Sequence, residues 1–192
     1  MSDGLCATAF HEASHVVVAK RLGLPVHSVS IKPASSEHGR PLEGGTLVRW
    51  DLLLGKREDL QLCQQAMTAA YAGIAWESMV SGRKFNEVYS ECPSDSEVVA
   101  VIRNRFNERG AFPTVDDSRQ VSTNASDEAC AMVRSNCIEI KRFAWFLCWK
   151  GELSEEHKVD YWFGRAKLIR VGLACIGRII CQFRRSQGCT TE

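Results

Sequence analysis

Apolar residues recur at helical spacing near the start of the chain, at Leu5, Ala9, Val16, Ala19 and Leu22, with no proline or glycine inside that run. This period predicts a helix, and Gly23 followed by Pro25 supplies its stop. Val26-His27-Ser28-Val29-Ser30-Ile31 then alternates as a strand does. Residues 33–45, rich in Pro, Ser, Gly and charge, predict a loop, and Thr46 to Trp50 predicts a second short strand antiparallel to the first. A long helical stretch is expected over residues 57–81, carrying Leu60, Ala66, Ala70, Ile74 and Met79 and ended by Gly82. Ser94-Asp95-Ser96-Glu97 has the form of a capping box, starting a helix to about Arg109. Gly110 and Pro113 open a loop to about Ala125. Ser126-Asp127-Glu128 then starts a helix to about Lys150, Gly151 ends it, and Ser154-Glu155-Glu156 begins a last helical region. The fold expected from this pattern is mainly α with a small antiparallel β-hairpin.

Composition narrows the picture only in places. A chain of 192 residues with 45% hydrophobic content is enough for one compact domain with a sizeable core. The formal net charge of +1 gives no global attraction to nucleic acid, and no apolar run reaches the length of a membrane span. Nine cysteines are many, but the number is odd and no CxxC pair occurs. Several, including Cys6, Cys63, Cys130, Cys137 and Cys148, fall within helical patterns, where a reduced thiol behaves as a small apolar residue. Reduced thiols and a cytoplasmic protein are therefore expected.

Chemistry enters with His11-Glu12-Ala13-Ser14-His15, an HExxH segment inside the first helix. Two histidines four residues apart project from one helix face, close enough for both imidazoles to reach one Zn²⁺ at about 2.0–2.1 Å. A glutamate directly after the first histidine stands beside such a metal, where it can take a proton from water. The expected activity is hydrolytic, with His11 and His15 as metal ligands and Glu12 as general base. His27, His38 and His157 are expected to be ordinary strand, loop and helix-surface residues.

The run Phe10-His11-Glu12-Ala13-Ser14-His15-Val16-Val17-Val18-Ala19, followed by Pro25 to Ile31, resembles the protease domain of FtsH-type ATP-dependent zinc metalloproteases. Three further segments are similar in the same order: Tyr71-Ala72-Gly73-Ile74-Ala75-Trp76-Glu77 through Gly82, Cys92-Pro93-Ser94-Asp95, and Cys130 to Lys150 with Gly151-Glu152-Leu153-Ser154. The similarity covers roughly residues 5–160 and implies a zincin-like helical domain. It implies that Asp95 is the third zinc ligand, and two imidazoles with one carboxylate would leave the fourth position open for water, as a catalytic site requires. Asp95 also fits as a first-turn carboxylate favouring a helix dipole, and Glu77, on a helix downstream of HExxH, is the rival third ligand. Ser14 stands where the family carries glycine. The family's Walker A loop and membrane anchor have no counterpart in these residues.

The function expected is a zinc-dependent metalloendopeptidase that hydrolyses peptide bonds by a zinc-activated water, with Glu12 as base. The alternative is a catalytically silent protease-like interaction or adaptor module. Partners expected are a polypeptide substrate, either already unfolded or unfolded by a separate ATPase, and, by the resemblance, further copies of the chain, with no nucleic acid. The peptidase-like domain is placed at residues 1–160 and a basic amphipathic extension at 161–192. Residues 161–185 carry six Lys or Arg and no acid. On a helical wheel Lys167, Arg170, Arg178, Arg184 and Arg185 oppose Ile169, Leu173, Ile176, Ile179, Ile180 and Phe183. Such a helix can pack its apolar face on protein or lie on an anionic membrane surface.

Overall fold

The computed structural model describes residues 3–32, 34–35, 41–42, 44–55 and 59–168. The described residues form eight helices, the first of which is α1 (Asp3–Arg21). Its residues from Glu12 to Ala19 are all buried, so the helix that the spacing predicted lies at the centre of the fold. Gly23 takes a left-handed φ of 69°. Its N–H donates to Lys20 O, and the Leu24 N–H donates to Ala19 O. These are the paired bonds of a Schellman stop, and they turn the chain into β1 (Val26–Ser30).

β1 pairs antiparallel with β4 (Gly45–Val48), with Val29 opposite Thr46, as the alternation predicted. The hairpin is extended by β5 (Glu152–Leu153), which pairs with the other edge of β1 to make a three-stranded sheet in the order β4-β1-β5. A two-residue strand gives no periodic signal, so β5 was not legible. The expected loop at 33–45 contains a second small ladder, β2 (Ala34–Ser35) with β3 (Pro41–Leu42).

After a short 3₁₀ turn at Trp50–Leu53, the long helical stretch is divided at Tyr71 into α2 (Asp59–Ala70) and α3 (Ala72–Ser81). Gly82, at φ 73°, ends α3. A short α4 (Phe85–Tyr89) leads to α5 (Pro93–Glu108). Here the expected capping box is absent. Pro93 occupies the first helical turn, where its fixed φ and missing N–H are tolerated, and Cys92 becomes the residue that enters the helix. Ser94 lies within the helix and does not cap it.

The capping box in the structure is at Thr114, whose hydroxyl accepts from the Asp117 N–H while the Asp117 carboxylate accepts from the Thr114 N–H. It starts α6 (Val115–Ser135) eleven positions before the helix start expected at Ser126. Asn136 separates α6 from α7 (Cys137–Lys150), and α8 (Glu156–Leu168) follows β5. α8 runs across position 160, and both Val159 and Phe163 are buried. The amphipathic pattern expected beyond residue 168 falls outside the described residues. Among the described residues no helix is long and apolar enough to cross a membrane.

α1 packs against α2, α3 and α7 and against the sheet. Arg21, in its last turn, pairs with the buried Glu139 of α7 at 2.6 Å. The core thus encloses α1 from several sides around the HExxH turn.

Candidate metal centre

α1 presents His11 and His15 on one face, with Nε2 atoms 3.1 Å apart. The N-terminal turn of α5 brings Asp95 to the same place, its Oδ2 3.1 Å from His11 Nε2 and 3.6 Å from His15 Nε2. Ligand atoms held about 2.0–2.1 Å from a tetrahedral zinc stand about 3.3–3.4 Å from one another. The three separations bracket that value. These residues form a group of ligand atoms able to hold a metal ion.

The other nitrogens of the two imidazoles are already committed. His11 Nδ1 donates to Glu77 Oε1 of α3 at 2.7 Å, and His15 Nδ1 donates to the Ala69 carbonyl at 2.8 Å. A proton on Nδ1 leaves the Nε2 lone pair free to face a metal, which is how outer partners fix the tautomer of a ligating histidine. Helix α2 ends one residue after Ala69, and an unbroken ladder would direct that carbonyl at the Gly73 N–H. The interruption at Tyr71 therefore falls where His15 is held.

Glu77 is brought to the site on the far side of His11, where it orients the ring rather than joining the ligand atoms. Its second oxygen accepts from the Cys92 thiol at 3.6 Å, and burial pushes that thiol up to about 12, so it stays protonated as a donor. Glu77→Ala is expected to leave metal binding in place but weaken it about 10–100-fold. Competition with a chelator measures this, and an unchanged affinity would remove Glu77 from the support of His11.

Asp95 Oδ2 is buried and makes no directed hydrogen bond among the described residues, although both imidazoles stand near it. An enclosed carboxylate oxygen in that state is costly unless a cation meets it. Burial pushes Asp95 up, but His15 and His11 outweigh it and hold the carboxyl well below its ordinary value. Burial pushes both imidazoles down, and Asp95, joined at His11 by Glu77, more than reverses this and raises both. The cluster thus retains a proton that a metal cation would displace, and metal uptake should weaken in acid.

α3 completes the cradle through Gly73. A Cβ there would fall 2.4 Å from His11 Nε2 and 2.6 Å from His15 Nε2. One turn further on, Trp76 stacks on Phe10 at 5.2 Å and ties α3 to α1. The hydroxyl of Ser14 turns back to donate to the Phe10 carbonyl at 2.8 Å and leaves the site clear.

Glu12 is buried on the same turn of α1. Its Oε2 accepts from the Thr46 hydroxyl of β4 at 2.7 Å. β4 is an edge strand of the sheet among the described residues, so one residue joins the carboxylate to that edge. No protein-family model matches this chain, and no curated protein matches it.

The structure brings together His11, Glu12, His15 and Asp95, with Glu77 one contact behind. His27 is exposed on β1, His157 is exposed on α8 beside Glu155, and His38 lies outside the described residues. Thr46, Gly73, Cys92 and the Ala69 carbonyl had not been anticipated as parts of the site. Only Gly73 gave a usable signal, since a glycine inside a helical pattern marks a close approach of neighbouring atoms.

Proposed function

We propose that this chain is a zinc-dependent endopeptidase with a site built on the FtsH-type plan. The observation that carries the reading is the convergence of His11, His15 and Asp95 with Glu12 one residue from the first ligand. Three segments that resemble the family, those holding HExxH, Gly73 with Glu77, and Cys92 with Asp95, meet at this one point. A site meant only to stabilise the fold would have no use for a base beside an open coordination position.

A bound zinc would lower the pKa of a water toward neutrality and polarise the scissile carbonyl. Glu12 takes the proton released as the water attacks, then passes it to the departing amine. Thr46 holds the carboxylate of Glu12 in position, and Glu77 and Ala69 hold the two imidazoles. The edge of β4, unpaired among the described residues, would pair with the substrate backbone as an added strand and carry it past Glu12.

The test is the metal content of the purified protein, followed by hydrolysis of an unfolded polypeptide. Near-stoichiometric zinc is expected in the wild type, with nearly complete loss on Asp95→Ala. A wild type that takes up no zinc after reconstitution would overturn the reading.

A further inference from the structure

The outward stripe of α7 sets large apolar side chains around Arg142, which shares that side of the helix. Ile138, Trp145 and Trp149 are 62%, 46% and 63% exposed, and their spacing of seven and four residues sets them on one stripe of the helix. α8 continues the surface. Trp162 stands 4.7 Å from Phe146 and 5.9 Å from Trp149, and Tyr161, 53% exposed, stands 5.3 Å from Trp162. A contiguous exposed patch of large aromatic side chains marks an interaction surface.

Cations fringe this patch. Lys150 Nζ lies 4.1 Å over the Trp149 ring and 5.3 Å over Trp162, and the Arg165 guanidinium lies 5.4 Å from Tyr161 and 5.8 Å from Trp162. Three acids of this region are paired with other cations, Glu152 with Lys32, Glu155 with Lys158 and His157, and Asp160 with Lys20, while Glu156 opens α8. From residue 161 to 185 the sequence adds only positive charge.

Trp and Tyr pair an apolar ring with a polar tip, which suits the boundary between headgroups and hydrocarbon. Lys and Arg beside them suit a negative surface potential. A second copy of the chain would set cations against cations, whereas an anionic bilayer offers an apolar layer and negative charge together. We propose that the α7–α8 aromatic face is a peripheral docking surface for anionic phospholipid membranes.

The experiment uses the full chain with vesicles of phosphatidylcholine alone or mixed equally with phosphatidylglycerol. Co-sedimentation is expected with the anionic vesicles, weakening as salt rises, with little binding to the neutral ones. Replacing both Trp145 and Trp149 by Ser, or Lys150 and Arg165 by Glu, should weaken binding about tenfold or more. These side chains are mostly at the surface, so an unchanged thermal melt serves as the folding control. Failure of the wild type to bind anionic vesicles would overturn the proposal. Binding unaffected by the tryptophan pair would do so too, by placing lipid contact elsewhere. A dimer that the tryptophan changes dissolve would instead make this face a contact between copies.

Discussion

Glu12→Gln is expected to keep the metal and lower peptide hydrolysis by about 10²–10⁴-fold, the usual contribution of a positioned general base. The substitution is close to isosteric, and the amide oxygen can still accept from the Thr46 hydroxyl, which stands 2.7 Å from Glu12 Oε2. What disappears is the ability to take up a proton. Glu12 is not among the atoms that converge on the metal position, so zinc content should match the wild type. Both quantities must be measured on the same preparation. Hydrolysis that survives with full zinc content would show that another group moves the proton, and the role given to Glu12 would be wrong. Joint loss of zinc and activity would show that Glu12 holds the metal or the fold.

The parts of this site that were legible in the sequence are the local ones. His11 and His15 share a face because of helical geometry alone, and the stop at Gly23 needs only the backbone freedom of glycine. The β1–β4 pairing was legible from the alternation of Val26–Ile31 and the short strand expected from Thr46, which ends at Val48 rather than Trp50. What could not be read locally depended on tertiary contact. Asp95 and Glu77 are both carboxylates on helices downstream of HExxH, and only packing sends one to the Nε2 side of His11 and the other to Nδ1. The start of α6 was hidden for a different reason. Its first buried residue is Val121, and the residues before it include Asp and Ser, so the regular spacing of Val121, Ala125, Ala129 and Val133 begins only in the second turn. The Thr114 cap was present in the sequence but uses Asp117 in place of the usual Glu or Gln. The box at Ser94 carried the more usual glutamate, yet Pro93 displaced it.

Gly73→Ala is expected to abolish zinc binding almost as fully as Asp95→Ala does, without touching a ligand. The added methyl would fall 2.4 Å from His11 Nε2, 2.5 Å from His11 Cε1 and 2.6 Å from His15 Nε2, far inside any contact a carbon tolerates. Either α3 withdraws from α1, carrying Glu77 away from His11 Nδ1, or the two imidazoles swing out of the position that faces Asp95. Both movements undo the spacing on which the metal position depends. Gly73 does not have a positive φ, so its backbone does not require glycine. In an open helix the same change would stabilise by about 1 kcal/mol. Zinc content and the melting temperature in chelator therefore give separate readouts. Loss of zinc together with a lowered melt would show α3 pressed against the imidazoles. A variant that binds zinc like the wild type would mean that α3 does not crowd the histidines, and the cradle drawn around them would fail.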